Sequence, residues 1–536
     1  MKKLILLFLV LIMMPMVANA HDIEVKNADG VTIYYNYINE GKELEVTFRG
    51  NSYRKSTDEY RDDIVIPSNV TYMDKTYKVT NIGNNAFYYS SGLTSVTIGN
   101  NVISIGNSAF YHCVNLTSVI IGNNVMSIGS SAFGGCTGLT SVMIPNSVTS
   151  IGSSAFGGCT GLTSVIIPNS MTSIGAYAFT KCSGLTSITI PNSVTNIGEC
   201  AFNECSSLTS IEVDSNNPVY DSRDNCNAII RSSSDALLVG CASTIIPNSV
   251  TSIEESAFSG CSGLTSIIIP NSVKTIRESA FTKCSGLTSI TIPNSVTNIG
   301  IGVFAFCSAL VSIKVDDNNS VYDSRGNCNA IIETSTNTLH TGCMNTIIPA
   351  TVTSIGQFAF YGYSGLTSIV IPNSVTSIVE YAFYSCYGLT SVTISNNVTR
   401  VGSNAFNHCS GLTSIIIGNS VTSIGANAFD GVNLPIVVSL IENPFTINGK
   451  TSGNRTFSQN TFNNATLYVP KGTIDKYKAT DGWKDFVNII EFTPTGIKVI
   501  KNTPNKNTII YDLNGVRQSE AKKGVNIING RKVIVK

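Results

Sequence analysis

The sequence predicts an α/β solenoid built from stacked copies of one short unit. A 23-residue unit recurs along most of the 536 residues, as in LTSVMIPNSVTSIGSSAFGGCTG at 139–161. Each copy carries a marker Phe in an Ala-Phe pair. The marker residues are Phe87, Phe110, Phe133, Phe156, Phe179, Phe202, Phe258, Phe281, Phe306, Phe360, Phe383, Phe406 and Phe429. Such a unit cannot bury its apolar face alone, so neighbouring copies must stack.

Within one copy the pattern changes from strand to helix. Val142 points inward and Met143 outward, and this alternation predicts a strand that Pro145 ends by removing a hydrogen-bond donor. Ser153 to Cys159 has helical spacing. We therefore expect a leucine-rich repeat with a parallel β-sheet on the concave face and short helical turns on the convex side.

Most cysteines follow the period. Nine of them lie three residues after a marker Phe, namely Cys113, Cys136, Cys159, Cys182, Cys205, Cys261, Cys284, Cys386 and Cys409. Adjacent coils lie about 4.8 Å apart, which does not suit a disulfide at every rung. No CxxC or paired-His spacing indicates zinc. The pattern predicts a buried ladder of small apolar side chains.

The unit reads LxxLxIPxxVxxIGxxAFxxC over about 65–430. It resembles the BspA-like family of bacterial leucine-rich repeats. The resemblance implies an exported, surface-associated solenoid. Members of that family are linked to adhesion to host proteins or to other bacteria. We place the solenoid at 81–430, with a β-rich cap at 21–80 before it and a second cap at 431–495 after it.

Two similar inserts interrupt the repeats near 213–243 and 315–345. They begin VDSNNPVYDSRDNCNAII and VDDNNSVYDSRGNCNAII. A hairpin with a two-residue loop in each insert would place two cysteines opposite each other. These pairs are Cys226 with Cys241 and Cys328 with Cys343. Each pair is expected either as a disulfide or as reduced thiols in an apolar patch.

The start of the chain predicts export. Lys2 and Lys3 precede an apolar stretch from Leu4 to Met14, and Ala18-Asn19-Ala20 supplies a cleavage site. Residues 1–20 are therefore predicted to be a secretory signal peptide. A membrane anchor is the alternative, but the apolar stretch is short for a span.

The end of the chain has a different composition. Residues 496–536 contain nine basic and two acidic residues, a net charge of +7, and two Asn-Gly turns predict β-hairpins. The strings IIYDLNGVRQ and KKGVNIINGRKVIVK resemble the C-terminal sorting domain of type IX secretion substrates. That resemblance implies passage through the outer membrane and a peripheral association with it. A small accessory β-module is the alternative.

Composition excludes several function classes. The formal net charge is zero and 13% of the residues are charged, which gives no electrostatic reason to expect a nucleic acid partner. Four histidines, no Gly-rich phosphate loop and no HExxH or GxSxG motif argue against an enzyme. No cofactor or metal site is predicted.

The remaining candidate is the outward face of the strands. One position per strand points outward, and eight of fourteen such residues are apolar: Thr97, Ile120, Met143, Ile166, Thr189, Glu212, Ile245, Ile268, Thr291, Lys314, Ile347, Val370, Thr393 and Ile416. Exposed apolar patches often mark partner surfaces, although strands favour β-branched residues on any face.

Charged residues interrupt this stripe just before the two inserts. We select Ile120, Met143, Ile166, Glu212 and Lys314, with the insert tyrosines Tyr220 and Tyr322, as candidate ligand-binding residues. The expected function is adhesion to a protein or cell-surface ligand by a secreted protein at the cell surface or outer membrane. The alternative is a scaffold protein of the cell envelope without a host ligand.

Overall fold

The computed structural model describes residues 21–49 and 60–492, together with four short strands between residues 510 and 535. The predicted signal peptide at 1–20 lies outside the described residues. The chain forms two compact units. The first comprises Met1–Leu185 and Ser193–Phe202, and the second comprises Thr186–Asn192 and Asn203–Lys536.

The first unit begins with a β-rich cap. Its strands are β1 (Ile23–Lys26), β2 (Thr32–Ile38), β3 (Glu43–Thr47), β4 (Asp62–Ile66), β5 (Asn69–Tyr72) and β6 (Lys75–Ile82). Strands β1, β2 and β3 are antiparallel, and β3 then pairs in parallel with β6. The antiparallel strands thus cover the first rung of a parallel sheet, which would otherwise leave unpaired backbone groups.

The repeats of the first unit form two parallel ladders. The first ladder contains β4, β7 (Leu93–Ile98), β9 (Ser118–Ile120), β11 (Ser141–Met143) and β13 (Ser164–Ile166). The second contains β6, β8 (Ser104–Ile105), β10 (Ser127–Ile128), β12 (Ser150–Ile151), β14 (Ser173–Ile174) and β16 (Asn196–Ile197). Residues 23 positions apart are paired, as Ser127 is with Ser150. The sequence predicted only the first ladder, because two-residue strands show no alternation.

The segment from Ser153 to Cys159 forms tight turns instead of the predicted helix. The Ala155 N–H donates to the Gly152 oxygen at 3.2 Å, whereas the Phe156 N–H donates to Ala178 in the next coil at 2.8 Å. The residue before Ala155 has φ 56°. Left-handed residues stop helical growth, so alternate amides bond within the coil and between coils.

The marker Phe rings form a continuous stack in the core of the first unit. The rings from Phe87 to Phe202 have centroids 4.7 to 5.5 Å apart and planes within 8° of parallel. These residues are buried, as are the ladder cysteines beside them. The prediction of a buried cysteine ladder is confirmed.

The second unit repeats the two sets of strands, but its first ladder is divided into three sheets, with no strand formed at Ile245, Ile268, Ile347 or Val370. The first ladder contains β15 (Ser187–Ile190), β17 (Ser210–Val213), β23 (Ser289–Ile292), β25 (Ser312–Val315), β31 (Ser391–Thr393), β33 (Ser414–Ile417), β35 (Ile436–Ser439), β36 (Thr466–Pro470) and β37 (Asn488–Phe492). The second contains β21 (Ser252–Ile253), β22 (Thr275–Ile276), β24 (Asn298–Ile299), β29 (Ser354–Ile355), β30 (Ser377–Ile378), β32 (Arg400–Val401) and β34 (Ser423–Ile424).

The two inserts are hairpins that join the second ladder. The first contains β18 (Tyr220–Asp221), a 3₁₀ helix (Arg223–Asn225), β19 (Ala228–Arg231) and β20 (Ala236–Gly240). The second contains β26 (Tyr322–Asp323), a 3₁₀ helix (Arg325–Asn327), β27 (Ile331–Glu333) and β28 (Thr338–Thr341). Strand β20 pairs in parallel with β21, and β28 with β29. Each hairpin therefore replaces one rung of the solenoid.

The prediction that Phe306 is the marker residue of its coil is wrong, because the structure places the marker two residues earlier, at Phe304. Phe304 is fully buried and stacks on Phe281 at 5.4 Å, whereas Phe306 is half-buried with φ 58°. The segment Val303-Phe304-Ala305-Phe306 contains two Phe residues, and the Ala-Phe pattern matched the second. With Phe304 as the marker, both inserts add the same number of residues.

A C-terminal cap follows the last repeat. It contains β35 to β37, α1 (Gln459–Asn464), α2 (Ile474–Ala479) and a 3₁₀ helix (Trp483–Asp485). The Ser458 hydroxyl caps α1 by accepting a hydrogen bond from the Thr461 N–H. The indole of Trp483, the single tryptophan, is buried and donates to the Phe445 oxygen at 2.8 Å.

The described part of the tail consists of paired strands. These are β38 (Ile510–Tyr511), β39 (Arg517–Gln518), β40 (Gly524–Ile528) and β41 (Arg531–Val535), in the order β39-β38-β40-β41. All of the pairs are antiparallel. The predicted Asn-Gly turns lie outside the described residues, between strands that pair with each other.

Candidate binding surfaces

The outward column of the first ladder is exposed in the first unit. The side chains of Ile120, Met143 and Ile166 are 60%, 73% and 66% exposed. The preceding residue in each strand is a buried valine, as expected for side chains that alternate between the two faces of a strand. Met143 and Ile166 are register partners. Apolar side chains from consecutive coils therefore form one exposed column.

The column in the second unit is interrupted. Ile245, Ile268 and Ile347 are at least 73% exposed. Ile416, which was predicted to point outward, is buried, as is its register partner Val438 in the C-terminal cap. The prediction of an exposed stripe is therefore wrong at its last residue.

Glu212 and Lys314 occupy equivalent places with opposite charges. Each is exposed in the strand that precedes an insert, and each is the register partner of a threonine in the coil before it. The two inserts therefore differ in the sign of the charge at their edge.

The insert tyrosines lie inside the fold, whereas the sequence predicted that they contact a ligand. Tyr220 and Tyr322 are 3% and 6% exposed. The Tyr322 oxygen accepts a hydrogen bond from the Ile299 N–H at 3.1 Å. An aromatic ring with a polar tip is suited to this role, because the ring is buried while the oxygen satisfies a backbone donor. Both residues anchor the hairpins.

Of the two states expected for the insert cysteine pairs, the structure has the reduced one. Cys226, Cys241, Cys328 and Cys343 are buried free thiols. The predicted register holds near the turn, where Arg231 faces Ala236, but a β-bulge shifts it so that Ala228 faces Gly240. A bulge adds one unpaired residue to a strand.

The consequence is a different set of thiol contacts. The Cys241 thiol donates to the Asn227 oxygen at 3.4 Å instead of facing Cys226. The second insert has the same bulge, and the Cys343 thiol bonds to the Asn329 oxygen at 3.3 Å.

An ion cluster fixes the first insert. The guanidinium of Arg223 binds both carboxylate oxygens of Asp221 at 2.7 Å and reaches Asp235 at 2.7 Å. Burial raises the pKa of the Asp221 carboxyl, but hydrogen bonds from Arg223 and Ser232 outweigh it and the net pKa shift is downward. In the second insert Asn337 stands where Asp235 does.

A groove opens beside the first insert. It encloses about 740 Å³, and its lining includes Ile245 and Ile268 together with Asp224 from the insert. Asp224 is exposed and has φ 57°. The second insert has Gly326 at this place. The sequence did not predict the groove, because it depends on how the insert packs against the two coils that follow it.

Neither metal chemistry nor a membrane span is indicated in the described part of the chain. Within it, no three His, Cys, Asp or Glu side chains are grouped closely enough to hold a metal ion. The described helices are too short and too polar to cross a bilayer.

Comparison with known families identifies the repeat. Residues 62–159, 126–226, 238–334 and 331–466 match the BspA type leucine rich repeat region, a family described with six copies. The four segments cover well over half of the chain. Comparison with curated proteins yields no match.

Several solved structures are similar. A leucine rich cell surface protein from Faecalibacterium prausnitzii is 27% identical over 74% of this chain and 94% of its own, with a TM-score of 0.45. A leucine-rich repeat protein from Bacteroides ovatus is 26% identical over 86% and 98%, with a TM-score of 0.37. The pneumococcal vaccine antigen PcpA is 18% identical over 88% and 99%, with a TM-score of 0.42. The matches to the repeat profile establish that this chain belongs to the BspA type leucine-rich repeat family.

Proposed function

We propose that this protein is exported to the cell surface, where its outward strand face mediates adhesion to a protein or cell-surface ligand. The observation that carries the proposal is the exposed column of Ile120, Met143 and Ile166. Nothing in the core needs apolar side chains at these positions, because Thr97 and Thr189 occupy the same column elsewhere. Repeated apolar side chains on an exposed face favour association with a partner.

The groove beside the first insert is the proposed site of specific contact. Ile245 and Ile268 give it apolar walls, and Asp224 adds one negative charge at its edge. A segment of a partner protein with apolar side chains and one basic residue fits this combination. The outward column then adds further contacts, and weak contacts in series strengthen binding through effective concentration.

Export and sorting are part of the same proposal. The signal peptide features of residues 1–20 and the sorting-domain resemblance of residues 496–536 support a route across the envelope. We assign the protein a binding role, without a cofactor or a catalytic step.

The experiment is a binding screen of the full-length purified chain against extracellular matrix proteins and intact bacterial cells. We expect saturable capture by at least one of these partners. If the chain binds none of them, adhesion is excluded for this panel and a scaffold role in the envelope is favoured.

A further inference from the structure

The second unit carries a surface cluster of aromatic residues on its turn segments. The aromatic cluster comprises Phe306, Phe358, Tyr361, Tyr381, Tyr384 and Tyr387. Ring centroids lie 5.1 Å apart for Phe358 and Tyr361, and 4.8 Å apart for Tyr361 and Tyr384. All six side chains are half-buried or exposed. The cluster is therefore separate from the buried stack of marker rings.

The second insert assembles this cluster. The hairpin replaces a rung of the second ladder, so the turn segments on either side of the insert meet directly. The Phe306 N–H donates to the backbone carbonyl oxygen of Tyr361 at 2.9 Å, although the insert separates the two residues in sequence. A Cβ at Gly362 would lie 2.2 Å from the Phe306 ring, so this residue must be glycine.

Three residues of the cluster have an unfavourable backbone conformation. Phe306, Phe358 and Tyr381 each have φ 58°. Asn404 and Asn427 occupy the place of Phe358 in later coils, with φ 56° and 55°. Asn tolerates this conformation, whereas a bulky aromatic residue rarely adopts it. The fold does not require aromatic residues here, because serine and asparagine hold the same conformation at this place in other coils.

The cluster contains no charged side chain and is rich in hydroxyl groups, and the imidazole of His408 borders it with a centroid 5.4 Å from that of Tyr384. Burial and then the neighbouring phenols of Tyr384, Tyr381 and Tyr387 raise the pKa of Tyr361. The rings of Tyr361, Tyr381 and Tyr384 lie close together, with centroids 4.8 to 6.4 Å apart. Glu380, next to Tyr381 in the chain, has its carboxylate in an ion pair with Arg400 at 2.6 Å. The chemistry offered to a ligand is aromatic carbon with neutral hydrogen-bonding groups.

We propose that the aromatic cluster binds a neutral oligosaccharide. The C–H groups of a sugar ring pack on aromatic carbon, and its hydroxyls can exchange hydrogen bonds with phenols. The cluster spans three turn segments, or about 10 Å at the spacing of adjacent strands, which matches about two hexose units. A stable protein interface needs about 800 Å² from each partner, more than so compact a cluster supplies. The inference is independent of the proposed function, because the strand face uses other residues.

The test uses the full chain with Phe358→Asn and Tyr381→Asn combined. Both changes introduce the residue that Asn404 and Asn427 provide naturally, so the fold should be retained. The matched control is Tyr177→Asn in the first unit, where an exposed tyrosine has φ 58°. The probes are neutral gluco-, manno- and galacto-oligosaccharides of two to four units, measured by calorimetric titration.

We expect at least one probe to bind the native chain. The double variant should lose affinity by about tenfold or more without a lower melting temperature, because two of the packing rings are removed. The Tyr177→Asn chain should bind as the native chain does. If no neutral probe binds, or if the double variant binds with native affinity, the inference is wrong.

Discussion

The thiol of Cys159 donates a hydrogen bond of 3.1 Å to the carbonyl oxygen of Phe133 in the preceding coil. The same bond recurs along the ladder, as from Cys136 to Phe110. Where a tyrosine replaces the cysteine, the Tyr363 hydroxyl donates to the Phe304 oxygen at 3.0 Å. The sequence correctly predicted that these cysteines are buried. Their role as donors was not predictable, because it depends on the position of a carbonyl in another coil.

Two substitutions of Cys159 separate the contribution of its packing to stability from the contribution of its hydrogen bond. We expect Cys159→Ala to lower the free energy of unfolding by about 2 kcal/mol, since it removes a donor and leaves a small cavity. Cys159→Ser retains a donor and should cost less. Urea denaturation measures both, with Cys200→Ala at a half-buried position as the control. Equal losses for Ser and Ala would show that the hydrogen bond contributes nothing.

The buried cysteine ladder also predicts that the folded chain is less stable at alkaline pH. Burial raises the pKa of Cys159 well above the ordinary thiol value of 9.0, and that of Cys307 to about 12. As the pH rises, these thiols therefore lose their protons at a lower pH in the unfolded chain than in the folded chain. The contribution to stability is complete below pH 9 and falls above it.

This dependence can be measured from the urea midpoint under reducing conditions between pH 7 and about 10.5. We expect a decline that starts near the ordinary thiol pKa and becomes shallower when Cys136 and Cys159 are both replaced by alanine. An identical decline in the native and substituted chains would assign the effect to other groups.

At the scale of elements, periodicity predicted what repeats and failed where the repeat is interrupted. The first-ladder strands, such as β11, follow directly from alternating apolar residues. The bulge that separates Cys226 from Cys241 leaves no mark in the apolar pattern, because it shifts the register by only one residue. The burial of Tyr220 and the groove beside Asp224 depend on packing between the insert and other coils. For these features the sequence alone was insufficient.

The close packing of the insert hairpin makes Gly240 essential. A Cβ at this residue would lie 2.1 Å from the ring of Phe258, which is fully buried. We expect Gly240→Ala to lower the free energy of unfolding by about 3 kcal/mol, because neither the ring nor the backbone has room to move. Gly453→Ala is the control, since no atom lies within 4 Å of its Cβ position. A loss of similar size in both variants would contradict the packing described for this hairpin.

The Arg223 cluster should hold the first insert in place. Arg223→Gln removes contacts with Asp221 and Asp235 whose side chains are partly exposed, so we expect a loss of about 1 kcal/mol after allowing for solvent screening. Faster hydrogen exchange across β19 and β20 is the direct readout. Lys484→Gln, which removes the more exposed ion pair with Asp481, serves as the control. Unchanged exchange in the insert would show that the cluster is not what fixes it.

At the scale of the whole molecule, the tail and the repeats are predicted to have separate roles. Deleting residues 496–536 removes the four tail strands but none of the ladder strands. We therefore expect the shortened chain to keep its ligand affinity and to accumulate inside the envelope. Protease treatment of intact cells measures surface display. Normal display of the shortened chain would refute the sorting role.

The measurement that tests adhesion through the strand face most directly is the affinity of a chain with five threonines in the outward column. The substitutions are Ile120→Thr, Met143→Thr, Ile166→Thr, Ile245→Thr and Ile268→Thr. Thr97, Thr189 and Thr291 already occupy this column, so the strands should still form. Val487→Thr, at an exposed valine in the C-terminal cap, is the control. We expect the affinity for the captured partner to fall by about a hundredfold or more in the five-residue variant and to be unchanged in the control. Native affinity in a folded five-residue variant would contradict the account.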